Sequence, residues 1–437
     1  MRNEYENTDP IWYDGKGINE VEFARYFREK YPLMYVDGRF YDMDGQIDNE
    51  ELEMKILREI EPYVSRSIAK KVQTLRDSLK YYTRTEGLPL HEDRIHFKNG
   101  TYYLDGRFIP EKEFCANRFP IEYKADAGIP ICWLSFLEQL LEKEDILTLQ
   151  EFVGYSMIPT TRAQAMIMII GNGGEGKSRI GVVLSRIFGR NMNSCPIHKL
   201  ASDRFAPIEQ MGKLLMIDDD LNMSALSDTG ILKQIITAEG AMTLEAKNKQ
   251  AVQGQLYVRL MAFGNGNLDA LYDKSDGFYR RQILLKVKER PKGRKDDKHL
   301  SEKLLAELDG IVLWTLEGLK RLMDNDFHFT ISEKTRTNME ESRRCDDNMI
   351  DFFESEGYLH YQEDVSIPTK ELYEIYCEWC NDNAEKQRSE KSFSNKVKEI
   401  SGRYGLTYNK NVPGYNGRKV RGYDGVCRAC GANPFSD

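Results

Sequence analysis

The chain has 437 residues, of which 41% are hydrophobic, and its 62 Lys and Arg are outnumbered by 70 Asp and Glu. This length predicts about three domains with real cores. No stretch approaches the ~18 apolar residues of a membrane span, and residues 1–14 lack the apolar core of a signal peptide, so we expect a cytoplasmic protein with no membrane partner. The net charge of −8 excludes a surface coated with nucleic-acid contacts, since these require concentrated Lys and Arg.

Residues 1–90 suggest a small α+β module. Hydrophobic periodicity predicts a strand pair over 34–42 around Asp37-Gly38, and helices over 49–63 and 64–82. The second helix carries basic side chains that fit either a DNA-facing collar or, as we favour, a solvated helix face. These residues are Arg66, Lys70, Lys71 and Arg76.

A second N-terminal region precedes the most informative motif. Asn99-Gly100 and Asp105-Gly106 are strong hairpin signals. Helices are predicted over 132–141 and 146–155. They lead directly into an apolar run at 166–170.

Segment 171–178 reads Gly-Asn-Gly-Gly-Glu-Gly-Lys-Ser and matches G-x-x-x-x-G-K-[ST]. With the apolar run before it and a helical pattern over 180–188, it predicts a strand, a phosphate-binding loop and a helix. Its glycines let backbone N–H groups surround a phosphate chain, Lys177 reaches the β- and γ-phosphates, and Ser178 ligates Mg²⁺. ATP and Mg²⁺ are therefore the predicted cofactors, and the glycines assigned to the loop are Gly171, Gly174 and Gly176. An ordinary glycine-rich turn would not explain a lysine at a helix start, where the dipole disfavours a cation.

A second apolar run, 214–217, ends in Asp218-Asp219-Asp220. This is typical of a Walker B strand, which places a carboxylate beside the nucleotide-bound Mg²⁺. We assign Asp218 to the metal and Asp219 to polarisation of the attacking water, a position where many ATPases carry Glu. The alternative is a helix N-cap or a solvated turn.

Residues 231–240 predict a helix. Residues 242–250 alternate between apolar and polar and predict a β-hairpin with a Lys-Asn-Lys tip.

A third apolar strand, 258–263, precedes Asn265, which we assign to orienting water against a γ-phosphate. Its Gly-Asn-Gly-Asn context also favours a simple turn. Arg280 and Arg281 precede a further strand and are either a solvated edge or an arginine finger.

Residues 289–298 predict a loop or linker that leaves the core, and 300–323 resume a helical pattern. Beyond about 349, two helices and a hairpin within 406–420 suggest a winged helix, with a small helical cap as the alternative. Its basic side suits duplex phosphates. That side comprises Lys391, Lys396, Lys398, Arg418, Lys419 and Arg421.

Two C-x-x-C pairs, Cys377/Cys380 and Cys427/Cys430, stand out among eight cysteines. Four thiolates are able to hold structural Zn²⁺. The first pair lies in a predicted helix, where buried reduced cysteines are common. We favour reduced thiols, and regard Cys427 and Cys430 as the pair that more closely resembles a zinc knuckle.

The order of these motifs from Gly171 to Arg281 resembles that of a superfamily 3 helicase. More narrowly, it is similar to the helicase part of phage and plasmid primase proteins and of poxvirus-type primase-helicases, as are residues 96–104 and 149–155. The resemblance covers about 20–430 and implies an AAA+-type core, hexameric rings and ATP-driven translocation on single-stranded DNA. It also implies that the hairpin at 242–250 lines the pore, with Lys247 and, as second choice, Lys249 on DNA phosphates.

The sequence therefore predicts an α/β protein with an AAA+ P-loop core, an N-terminal α+β/helical collar and a C-terminal winged-helix-like domain. The expected domains are 1–90, 91–155 as a helicase-associated region, 156–345 as the ATPase core, and 346–437. The expected function is a ring-forming replicative DNA helicase of a mobile element, with Arg280 or Arg281 supplied by a neighbouring subunit and priming left to a separate protein. The alternative is an origin-binding initiator that uses ATP only for assembly.

Overall fold

The computed structural model describes residues 9–221, 230–265, 280–291, 293, 297–345, 348–385, 387–414 and 418–429. The described chain divides into two compact units: residues up to 265 together with 280–336, and residues from 337 onward. The predicted domain limits at 90, 155 and 345 stay predictions.

The helices are α1 Glu20–Lys30, α2 Asn49–Ile60, α3 Ile68–Tyr82, α4 Ile131–Leu140, α5 Lys143–Tyr155, α6 Ser178–Phe188, α7 Ile197–Ser202, α8 Gly230–Thr237, α9 Leu300–Leu305, α10 Leu308–Asp324, α11 Glu333–Cys345, α12 Asn348–Glu354, α13 Thr369–Asp382 and α14 Glu390–Ile400. The strands are β1 Met34–Val36, β2 Arg39–Asp42, β3 Gly45–Ile47, β4 Arg94–Phe97, β5 Gly100–Tyr103, β6 Phe108–Ile109, β7 Met166–Gly171, β8 Met192–Ser194, β9 Leu215–Leu221, β10 Met242–Leu244, β11 Val252–Gly254, β12 Arg259–Asn265, β13 Gln282–Lys286, β14 Leu359–Pro368, β15 Thr407–Pro413 and β16 Lys419–Arg428.

The N-terminal region packs α1, α2 and α3 with the antiparallel sheet β1-β2-β3. The predicted turn between β1 and β2 is confirmed, since Asp37 and Gly38 have φ of 49° and 82°, as such a tight hairpin turn requires. Asn19 caps α1 by accepting hydrogen bonds from the N–H groups of Val21 and Glu22. The predicted helix at 64–82 begins later, at Ile68, because Ser67 has the left-handed φ of 55°.

The next region contains the antiparallel sheet β4-β5-β6 and helices α4 and α5. The hairpins predicted at Asn99-Gly100 and Asp105-Gly106 are confirmed. Helix α5 lies against α10, where glycines allow close approach. A Cβ on Gly318 would lie 2.4 Å from the carbonyl oxygen of Gln150, so even alanine would force these helices apart.

A parallel five-stranded sheet in the order β13-β7-β12-β9-β8 forms the centre of the first unit. All six residues of β7 are buried, which agrees with the continuous apolar run expected of a strand covered on both faces. Residues of β7, β9, β12 and β13 share one hydrophobic cluster with α4, α5, α6 and α10. The predicted α/β class is therefore confirmed, and the carboxyl ends of these strands share one edge.

In the second unit, α12, α13 and α14 share a core with the antiparallel sheet β14-β16-β15. The predicted helices and hairpin are confirmed by α13, by α14, which Ser389 caps, and by the β15–β16 pairing. Strand β14 was missed by the sequence prediction. Five consecutive residues of its ten are exposed, so it lacks the apolar alternation that marks a half-buried strand.

Candidate functional site

The loop that joins β7 to α6 depends on glycine at several of its positions. Gly173, Gly174 and Gly176 have φ of 101°, 79° and 110°, a region open to glycine and costly for other residues. Gly171 is required for a different reason, since a Cβ there would lie 2.4 Å from a methyl carbon of Val287 and 2.9 Å from Lys177 Nζ. The loop therefore requires glycine at the three assigned positions and also at Gly173.

Lys177 and Asn265 are brought together as the sequence predicts. Lys177 Nζ donates to Asn265 Oδ1 at 3.0 Å, although the two residues are 88 positions apart. The contact arises because β12 pairs with β7 in parallel register, with Asn265 opposite Gly171. Lys177 is 6% exposed, so its ammonium lies beneath the loop.

Glu175 is the second partner of Lys177 and was not identified from the sequence, where it occupies a variable position of the motif. Its Oε2 accepts from Lys177 Nζ at 2.8 Å, and the carboxylate also accepts from the N–H groups of Asn172 at 2.6 Å and Gly173 at 3.1 Å. Burial raises the pKa of this carboxyl, but Lys177 and the backbone donors outweigh that effect and leave the pKa lowered. Glu175 is therefore a buried anion inside the loop.

Asp218 is the fourth of the seven residues of β9 and is buried, at 4% exposure. It accepts from the N–H of Ile197, at the start of α7, at 2.7 Å and from that of Asp220 at 3.2 Å. Burial raises the pKa of its carboxyl. Asp219 is exposed, as is Ser178 at the start of α6. The residues assigned to Mg²⁺ thus lie on elements at the edge where the loop lies, and Asp218 has the additional task of holding α7.

Arg280 and Arg281 are not brought to the loop of their own chain. They precede β13, whose first residue Gln282 lies opposite Met166 at the amino end of β7, and the Arg281 carbonyl accepts from the Met166 N–H at 2.8 Å. Five residue steps of about 3.3 Å separate that end from Gly171. The two arginines therefore lie about 16 Å from the loop, measured along the strand. They are at the amino-terminal ends of the strands, whereas the loop is at the carboxyl-terminal ends.

Arg290 lies in the segment 289–298, which the sequence predicts to be a loop or linker, and its described residues contain no helix or strand. The sequence pattern did not predict that Arg290 contacts the loop after β7. Its Nη1 donates to the Gly174 carbonyl at 3.2 Å, because β13 continues alongside β7 and the Val287 N–H bonds to the Ile170 carbonyl at 2.9 Å. The signal available in the sequence was that a basic residue follows a core strand, whose end must lie at the loop's edge of a parallel sheet.

Lys247 and Lys249 lie where the pattern predicts, in the turn between β10 and β11. The strands pair from Met242 with Gly254 to Leu244 with Val252, and both lysines are exposed. Asn248 between them has φ of 60°, which Asn tolerates better than most residues. Both ammonium groups are therefore accessible to solvent.

In the second unit, Arg418 and Lys419 lie at the start of β16 and are exposed. Segment 389–421 contains eight Lys or Arg and two Glu, whereas 348–388 contains three Lys or Arg and ten Asp or Glu. Lys398 on α14 lies 5.6 Å from the ring centre of Tyr408 on β15, and that ring is 39% exposed. The positive charge of this unit is thus concentrated on α14 and the β15–β16 hairpin.

Cys380 is buried in α13, where burial raises its pKa, and Cys427 lies in β16. Cys430 lies outside the described residues, so zinc binding by Cys427 and Cys430 stays a prediction. Within the described part of the chain, no group of three or more His, Cys, Asp or Glu side chains is arranged to hold a metal ion. Nor does any described helix combine the length and apolar character needed to cross a membrane.

Comparison with known proteins gives a family match and a shared fold. Residues 169–281, from within β7 to the residue before β13, match DUF5906, a family of unknown function. No curated protein matches the sequence. The apo structure of the NrS-1 C-terminal region (305–718) is similar, with a TM-score of 0.55 at 15% identity, over 96% of this chain and 100% of that chain.

Two further structures of the same NrS-1 region, both described as A form and apo, agree. One gives a TM-score of 0.53 at 14% identity over 93% of this chain and 98% of that chain. The other gives a TM-score of 0.54 at 12% identity, over 95% of this chain and 100% of that chain. At this identity the likeness establishes a shared fold that extends over nearly the whole of both chains.

Proposed function

We propose that the chain is an ATP-dependent DNA helicase of superfamily 3 that forms rings and serves replication of a mobile element such as a phage, plasmid or genomic island. The observation that carries this proposal is the separation of two sets of residues. Lys177 and Asn265 meet at the carboxyl edge of the sheet, while Arg280 and Arg281 lie at the amino edge. An arginine finger so placed serves the site of a neighbouring subunit.

The residues of the loop fit the phosphates of a nucleotide. Three positive-φ glycines and a buried lysine precede α6, whose first N–H groups have no acceptor within the helix. The helix N-terminus therefore attracts an anion. Ser178 and Asp218 would hold Mg²⁺, which neutralises charge on the transferring phosphoryl group when bound. Asn265 would then orient water, and Asp219 would accept its proton.

The strand order supports an AAA+-type core. Numbered by their place in the chain, the strands lie in the order fifth, first, fourth, third, second. The loop follows the first strand, the aspartates lie in the second half of the third, which ends at Leu221, and Asn265 ends the fourth. Three groups with different roles in phosphoryl transfer thus converge at the carboxyl ends of adjacent strands, where parallel α/β sheets bind their ligands.

Two basic features provide local DNA contacts on a chain of net negative charge. The exposed Lys247 and Lys249 would contact single-stranded DNA in the pore of a hexamer. The concentration of Lys and Arg in α14 and the β15–β16 hairpin supports a winged-helix role on duplex or origin DNA. A separate primase would supply primers.

Strand displacement on forked DNA tests the proposal. Two DNA substrates are compared, one with a 3′ tail and one with a 5′ tail. With ATP and Mg²⁺, purified protein should unwind only one of them, because a ring moves along one strand in one direction. Lys177→Ala is the control and should abolish unwinding. Hydrolysis without displacement from either tail, together with ATP-dependent footprinting on one origin, would favour the initiator and refute the helicase.

A further inference from the structure

Glu175 is the only acidic residue in the loop 171–178, and it lies where the loop is proposed to receive phosphate. Its carboxylate accepts from one side-chain cation and two backbone N–H groups. These are the donor types that a P-loop offers to a nucleotide. The loop therefore already contains an anion of its own.

The Glu175–Lys177 pair is buried, with side-chain exposures of 4% and 7%. A buried charge is costly unless it is paired and hydrogen-bonded. A phosphate group that takes the Lys177 ammonium must either remove one of the partners of Glu175 or lie beside a second negative charge. Both outcomes raise the free energy of the nucleotide-bound state.

We propose that Glu175 is an internal competitor for Lys177, which weakens nucleotide binding and accelerates the release of product. The proposal rests on the proposed function, since it concerns the same loop. Asn265 also bonds to Lys177, but its amide is neutral and does not repel phosphate. Glu175 acts through Lys177 and is therefore a positioning residue.

The experiment compares wild-type protein with Glu175→Gln by titration with a fluorescent ADP analogue in the presence of Mg²⁺. The N–H groups of Asn172 and Gly173 bond to different oxygens of Glu175, so the amide oxygen of Gln keeps an acceptor for one of them, while the negative charge is lost. We expect the variant to bind about tenfold more tightly, a change of about 1.4 kcal/mol, mainly through slower dissociation. A merely structural role would leave affinity unchanged or weaken it.

Glu59→Gln is the matched control. Glu59 is also hydrogen-bonded to a lysine, Lys30 at 2.9 Å, and its side chain is 11% exposed, but it lies in the N-terminal region. Its loss should leave ADP affinity unchanged. If Glu175→Gln melts below the wild type, Glu175→Ala supplies the same comparison of charged and neutral side chains.

Equal or weaker binding by a folded neutral variant overturns the inference. When the wild type binds the analogue and the variants bind no more tightly, only the competitor role fails. When neither the wild type nor the variants bind, the proposed nucleotide site itself fails.

Discussion

The position of Arg280 and Arg281 leads to a prediction about mixed oligomers. About 16 Å of strand β7 separates these arginines from the loop that follows Gly171, so a finger from the same chain does not reach its own nucleotide. The double variant Arg280→Ala/Arg281→Ala should bind nucleotide but hydrolyse it about a thousandfold or more slowly, the usual effect of losing an arginine finger. Lys177→Ala should be inactive because it lacks the loop lysine.

Mixing the two inactive variants should restore ATPase activity. In a ring with heterologous interfaces, an interface is complete when the double variant supplies the loop and the Lys177→Ala subunit supplies the arginines. Random assembly of equal amounts makes about a quarter of the interfaces complete, so activity should reach about a quarter of wild type. ATPase rates are measured after the subunits have been mixed and allowed to exchange.

The control is each variant alone, and co-assembly is checked by differently tagged subunits. Absence of recovery in mixed rings would refute the trans placement. The single variants Arg280→Ala and Arg281→Ala identify the finger. The variant that lacks it should be inactive alone and should recover activity when it is mixed with Lys177→Ala.

Three further predictions follow from the basic segments and from a buried histidine. Lys247→Ala should reduce strand displacement per ATP hydrolysed at least tenfold, because the proposed phosphate contact in the pore is lost. A gel-based unwinding assay and a phosphate-release assay together give the number of strands displaced per ATP. Arg418→Ala/Lys419→Ala should weaken duplex binding uniformly across sequences and reduce the slope of log K against log salt by about 2, as fluorescence anisotropy would show. Burial lowers the pKa of His96 to about 3, below the ~6.5 of an unfolded chain. Between these two pKa values the unfolded state binds more protons than the folded state. Lowering the pH from 7 to 5 should therefore reduce the free energy of unfolding by about 2 kcal/mol through this histidine. Denaturant titrations should show that His96→Gln removes this loss.

The two predictions on basic residues each have a matched control. Lys320→Ala removes an exposed lysine from α10 and should leave the unwinding ratio unchanged; an equal loss there would argue against a specific role for the hairpin. Lys370→Ala on α13 lies outside the basic segment and should leave the salt slope unchanged. An unaltered slope in the double variant would contradict the proposed duplex contact. If His96→Gln retains the full acid sensitivity, other groups cause it.

The short-range features of the fold were predictable because they depend on neighbouring residues. The strand, loop and helix around Lys177 follow from an apolar run, glycines and an amphipathic pattern. The turn at Asp37-Gly38 follows from the conformational freedom of glycine. Helix α14 is one of the two helices predicted beyond residue 349, and Ser389 caps its first turn. Strand β14 was missed because five consecutive residues of it are exposed, which removes the apolar alternation of a half-buried strand.

The sequence by itself determined which residues of the loop are candidates for phosphate and Mg²⁺ contacts, since the motif names Lys177 and Ser178 without reference to the rest of the chain. Only the tertiary structure decided what surrounds them. Asn265 meets Lys177 from 88 positions away and Arg290 meets Gly174 from 116 positions away, because parallel neighbours bring distant strand ends to one edge. Local periodicity carries no information on strand order or register. The parallel pairing of β13 with β7 brings Arg290, which follows β13, to the loop. It also holds Arg281, which precedes β13, at the amino-terminal end of β7.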